Sequence, residues 1–183
     1  MEEEFIIDYL TGQKLLDSDM ERLRQRVARF LVEEKGYAKE DIESRQVFQI
    51  PVENRIVTVT IDFLINLQGK RLILVQCYPT ALITREKYTL ACARLIEDYQ
   101  IPFIAITDGF EAEVFEVPSG KLIGKDLKLI PDKSSLEKML PELKLLPLNE
   151  ERRIKERRIL AAFDLLRCPC RQKSCNFTPS ACA

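Results

Sequence analysis

Between Ile56 and Tyr78 the chain alternates in a way that leaves little choice of fold. Val57, Val59, Ile61, Phe63 and Ile65 recur at every second position, the period of a pleated strand, with Thr58, Thr60 and Asp62 on the opposite side. After the polar turn Gln68-Gly69-Lys70, the run Leu72-Ile73-Leu74-Val75-Gln76-Cys77-Tyr78 is again strand-like and too short for a typical helix. The two runs predict a hairpin. Gln76 and Tyr78 are two residues apart and share a face. If Asp62 lies on that face, a carboxylate, an amide and a phenol meet beside the sheet, and these three residues are the candidate site.

Composition narrows what such a site does. With 183 residues, the chain is long enough for one domain with a real core. The 28 basic and 29 acidic residues nearly cancel, so any contact with nucleic acid must use a local patch rather than a global field. There is no histidine, which removes the usual triads, imidazole bases and imidazole metal ligands, and leaves carboxylates, lysine, tyrosine and cysteine. No apolar run approaches the ~20 residues of a membrane span, and the acidic opening Met1-Glu2-Glu3-Glu4 is unlike a signal peptide. The expectation is a cytoplasmic, non-membrane protein.

Along the chain, residues 1–19 read as an extended arm with a turn at Thr11-Gly12, and Asp17-Ser18-Asp19 offers N-caps for a first helix. Met20, Leu23, Val27, Phe30 and Leu31 form its apolar stripe, and Gly36 ends it. The charges on its other faces, Arg22, Arg24, Arg26, Arg29, Glu33 and Glu34, read as a solvated surface. Val47-Phe48-Gln49-Ile50 is a short strand stopped by Pro51. After the hairpin, Tyr88, Ala91, Cys92, Leu95, Ile96 and Tyr99 mark a crossover helix over 84–99, and Pro102 to Thr107 a buried parallel strand. Ala112–Val117 and Lys121–Gly124 add strands. The predicted fold is α/β: a mixed β-sheet flanked by helices, with a core over 20–125, a proline-punctuated strap over 126–148 with a short helix at Ser135–Leu140, a C-terminal helix over 149–167 and a cysteine-rich tail over 168–183. Ile154, Ile159, Leu160, Phe163 and Leu166 are the predicted seam of the C-terminal helix.

Several of these segments together resemble the N-terminal domain of type I restriction enzyme R subunits, within the PD-(D/E)XK nuclease superfamily. The resemblance runs from about Glu21 to Val117 and rests on Arg22 to Arg29 with Phe30-Leu31-Val32-Glu33-Glu34-Lys35-Gly36-Tyr37, on Ile61-Asp62-Phe63, on Ile73 to Tyr78, and on Pro102-Phe103-Ile104-Ala105-Ile106-Thr107-Asp108-Gly109. It implies a restriction-endonuclease-like core in which an Asp and a Glu-x-Lys bind Mg²⁺ and activate a water for phosphodiester cleavage. Asp62 matches the first position. Gln76 replaces the glutamate and Tyr78 the lysine, and a neutral amide and an uncharged phenol are poor substitutes for a ligand and a cation. Related nucleases often carry Gln-x-x-x-Tyr on the next helix, where this chain has Tyr88 and Cys92. The resemblance therefore implies a degenerate nuclease kept as a binding module for DNA, other nucleic acid or a protein partner. The alternative is an active Mg²⁺-dependent DNA endonuclease with migrated groups, for which Glu33, Glu34 and Glu86 are candidates.

The tail carries a second pattern. Cys168, Cys170, Cys175 and Cys182 put four thiols within 15 residues, which in a reducing compartment points to metal before disulfide: Zn²⁺ or an iron–sulfur cluster. Against this stand the Cys-x-Cys spacing, which is not the common Cys-x2-Cys knuckle, and the scarcity of anything for the tail to fold around. Cys77 and Cys92 lie in apolar patterns and read as core residues. Sequence alone sets neither a cofactor nor an oligomeric state.

Overall fold

The computed structural model describes residues 4–79 and 85–165. Strands β1 (Phe5–Ile7) and β2 (Lys14–Leu16) pair antiparallel as a small separate sheet. Helix α1 (Asp19–Arg29) follows, then β3 (Ile42–Val52), β4 (Arg55–Leu67), β5 (Lys70–Cys77), α2 (Glu86–Leu95), β6 (Phe103–Thr107), β7 (Ala112–Glu116), β8 (Lys121–Lys125), α3 (Lys133–Met139) and α4 (Glu150–Leu165). The six strands from β3 to β8 form one sheet in chain order, antiparallel except where the α2 crossover makes β5 and β6 parallel. This is the mixed sheet flanked by helices that the sequence predicts, with a helical C-terminal region.

Local chemistry explains most boundaries. Ser18 caps α1 by accepting a hydrogen bond from the Glu21 N–H at 3.2 Å, and the acidic first turn suits the helix dipole. The chain leaves α1 through one wide turn over Phe30–Glu34 and then Gly36, whose φ of 74° is the left-handed conformation of a helix end. Gln68 and Gly69, both at positive φ, close the β4–β5 hairpin with the two-residue turn that matches strand twist.

Pro51 does not stop β3. The strand is eleven residues long, and Pro51 pairs with Ile56 inside it. β3 is an edge strand, so one side of it has no ladder to lose when an N–H is missing. The crossover helix is shorter than its period suggests. Tyr99 lies beyond it, and its hydroxyl accepts from the Arg71 N–H at 2.9 Å. In α4, Leu160 is fully buried and Ile159 and Phe163 pack beside it, but Ile154 is exposed.

Two cores lie on the two faces of the sheet. One packs α1 and the segment from Leu127 to Leu145 against Phe63, Ile65, Ile73 and Val75; the other packs α2 and α4 against Val57, Val59, Ile61, Leu64 and Leu74. The predicted single face from Val57 to Ile65 is therefore wrong: Ile61 belongs to one core and Phe63 to the other. The alternation breaks at Asp62. Opposite it, Arg45 adopts φ 52°, left-handed for a residue with a side chain, and the ladder pairs Ser44 with Phe63 and Gln46 with Ile61 while skipping Arg45 and Asp62.

Candidate functional site

The break in β4 turns the Asp62 carboxylate toward α1, where it is 1% exposed. One oxygen accepts from the Arg24 Nε at 2.6 Å, and the other from the backbone N–H of Cys77 at 2.8 Å. Burial pushes the Asp62 carboxyl above its usual range, opposed by the charge of Arg24 and the bond from Cys77. Arg24 shows the reciprocal balance: burial disfavours its charge, but Asp62 and Glu21 outweigh that and raise it.

A polar network spreads from this pair. Glu21 lies 3.5 Å from Arg24, accepts from Gln25 at 2.8 Å, and accepts from Arg45. Arg45 also donates to Asp8, which follows β1. Burial works against the Asp8 carboxylate, yet bonds from Arg45, Leu10 and Thr11 together hold it below its usual range. Three carboxylates thus share two guanidiniums in a nearly closed site, with the left-handed Arg45 aimed into it.

Gln76 and Tyr78 do not join Asp62. They flank Cys77, whose N–H bonds to Asp62, but their side chains lie on the α2 side of the sheet. Gln76 pairs in register with Ile106, and Tyr78 packs with the α2 and α4 core. The Gln76 amide donates to the Thr60 carbonyl at 3.3 Å, while its buried Oε1 has no hydrogen-bond partner among the described residues. The Tyr78 hydroxyl is pushed up to about 12, mainly by burial, and the Arg85 guanidinium sits 5.0 Å from its ring centre. The expected convergence of carboxylate, amide and phenol is corrected: the strand break separates the first from the other two.

The migrated-carboxylate candidates also lie elsewhere. Glu33 accepts from the Tyr9 hydroxyl at 3.0 Å, roughly 13 Å along the helix from Arg24, given ~1.5 Å of rise per residue. Glu34 is exposed beside it, and Glu86 opens α2 on the other face. The carboxylate that does stand beside Asp62's partner is Glu21. Its signal in the sequence is a second helical stripe, Glu21, Gln25 and Ala28, running next to the apolar one.

These residues do not fit Mg²⁺. A hard dication needs free carboxylate oxygens, and both oxygens of Asp62 are engaged. At ~4 Å from the Arg24 charge, a dication would meet a repulsion of roughly 8 kcal/mol at an effective dielectric constant of ~20. Among the described residues no group of three acidic or cysteine side chains is arranged to hold a metal ion. Cys168, Cys170, Cys175 and Cys182 lie outside the described residues. Cys77 and Cys92 are buried, and burial pushes the Cys77 thiol well up.

A helix laid on a mixed sheet, a hairpin with a buried aspartate in its first strand, then a crossover helix and a parallel strand define an α/β domain of the kind that the resemblance implies. The chain belongs to the family described as type I restriction enzyme R protein N terminus (HSDR_N), which matches residues 19–131. The match leaves out the β1–β2 hairpin, α3 and α4. No curated protein and no solved structure matches the chain.

Proposed function

We propose that this domain is a catalytically silent relative of the R-subunit nuclease domains that serves as a metal-independent binding module, with duplex DNA the first partner to test and a protein partner the other. The observation that carries it is the Arg24–Asp62 pair: the carboxylate that the resemblance would give to a divalent cation is held at 2.6 Å by a guanidinium. The residues that the resemblance aligns with Glu-x-Lys argue the same way: Gln76 and Tyr78 carry neither the carboxylate nor the ammonium, and their side chains lie on the other side of the sheet from Asp62. None of the described helices is long and apolar enough to cross a membrane.

Incubating the chain with supercoiled plasmid and Mg²⁺ or Mn²⁺ is expected to leave the plasmid intact, while a gel shift in chelator detects duplex binding. Metal-dependent cleavage that disappears in Asp62→Ala would overturn the proposal. Retention of a protein partner without a DNA shift would assign the module to protein.

One observation favours the active alternative: Glu21 already places a second carboxylate on the guanidinium that holds Asp62. An active enzyme would have to move Arg24 aside so that Asp62 and Glu21 face one metal. Cleavage would then be lost in Glu21→Gln as well as in Asp62→Ala, and kept in Glu33→Gln and Glu86→Gln.

A further inference from the structure

On the far face of the sheet, a cleft of about 130 Å³ opens between β3, the C-terminal end of α2 and α4. Phe48, Ile50, Pro51 and Leu95 form its apolar wall, and Arg153 and Arg157 bring two guanidiniums to it. These arginines lie four residues apart, on one face of α4. Their side chains are 24% and 27% exposed, so both are largely packed against the protein.

The compensation they receive is thin. Glu150 accepts from Arg157 at 2.9 Å and lies 3.9 Å from Arg153, but its side chain is 66% exposed. One carboxylate thus serves two guanidiniums, and the buried Nε of Arg157 has no hydrogen-bond partner among the described residues. A buried guanidinium donor is costly to leave unpaired.

We propose that this cleft binds the dianionic phosphate group of a phosphomonoester. Its size admits one such group and not a whole nucleotide, since pockets for drug-sized ligands run to roughly 300–1,000 Å³. A monocarboxylate would only exchange one negative charge for that of Glu150. A phosphate monoester carries close to two charges at neutral pH and three acceptor oxygens, enough to face the terminal nitrogens of both forks. An internal phosphodiester, with one charge and two free oxygens, gains less. The same chemistry comes from free orthophosphate or from the 5′-phosphate end of an oligonucleotide. The site lies on α4 and owes nothing to the Asp62 network, so it stands or falls apart from the reading of that network.

Calorimetric titration of the full chain at pH 8 with orthophosphate, with acetate as the monocarboxylate control, tests this. Orthophosphate is expected to bind and acetate not to. The double variant Arg153→Gln with Arg157→Gln is expected to weaken phosphate by about tenfold or more, through loss of the charge-assisted bonds. Because that variant removes two half-buried side chains, Glu150→Gln provides a test free of folding risk: removing the internal competitor should tighten phosphate by about two- to fivefold, the worth of an exposed ion pair. A 5′-phosphorylated oligonucleotide that binds more tightly than orthophosphate and than its 5′-hydroxyl counterpart assigns the ligand to a nucleic-acid end; equal binding of orthophosphate and phosphorylated oligonucleotide assigns it to the free ion. No phosphate binding by the wild-type chain, unchanged binding in the double variant, or no tightening in Glu150→Gln would each overturn the proposal.

Discussion

At the scale of single residues, two carboxylates on neighbouring strands should respond to pH in opposite directions. Asp62 is buried, and its carboxyl is raised above the ordinary value of 3.8. A raised carboxyl binds its proton more tightly in the folded state, so its contribution to stability is full below 3.8 and is lost as pH rises through the folded value. Glu43 is lowered from 4.5, first by its bonds from Arg71, at 2.6 and 3.0 Å, against a smaller opposing effect of burial. Its contribution is present above 4.5 and is lost as pH falls through the folded value. Urea midpoints across the acid range should therefore separate two variants. Relative to Asp62→Asn, the wild type should lose stability as pH rises from about 3.5; relative to Glu43→Gln, it should lose stability as pH falls. Equal slopes for the two comparisons would show that Asp62 is not held in a desolvated site. Both residues are ordinary strand acids in the sequence, and only their surroundings set the sign.

At the scale of elements, the turn after β6 shows how the site's framework is held. Gly109 has φ 87°, and a Cβ there would lie 2.6 Å from Leu23 Cδ1 of α1. Gly12 has φ 73° with nothing within 4 Å. Gly109→Ala should cost about 2–4 kcal/mol, combining left-handed strain with overpacking, and Gly12→Ala only about 1–2 kcal/mol, as urea denaturation would measure. Equal losses would mean that α1 does not press on that turn. Elements of this kind were largely legible: the hairpin, both helices flanking the sheet and the parallel strand follow from period, turn residues and length. The length of β3 was not, because Pro51 reads as a stop unless the strand is known to be at an edge. The site was half legible. Asp62 stands out on its strand, but the swap of faces around it depends on Arg45 in a left-handed conformation. Asp8, Glu21, Arg24 and Arg45, spread over 38 positions, each look like a solvated charge until the fold gathers them.

At the scale of the whole molecule, α4 lies outside the family match, so its hold on the core decides whether it is an appendage or part of the domain. Leu160 is fully buried, Phe163 meets Tyr88 of α2 with ring centres 5.5 Å apart, and Glu156 reaches Arg94 of α2 at 2.8 Å. Arg94 is 5% exposed and Glu156 1%, and Arg94 also donates twice to the Val117 carbonyl. Burial lowers the Arg94 guanidinium from its usual value, with Glu156 opposing. Removing Glu156 alone leaves that charge buried with little compensation, a loss of about 3–5 kcal/mol. Replacing both partners by leucine removes the charge as well as its partner, and such exchanges are often neutral. Here the Val117 carbonyl would lose its donors, at about 1–3 kcal/mol, so Arg94→Leu with Glu156→Leu should recover part of the loss. With no tryptophan in the chain, tyrosine fluorescence, with Tyr88 at the interface, and far-UV circular dichroism serve as the two probes. In Glu156→Ala both should report one transition at lower urea, because Leu160 and Phe163 keep the helix cooperative with the sheet. Two separated transitions would instead make α4 a detachable arm, and the Arg153–Arg157 cleft would come and go with it.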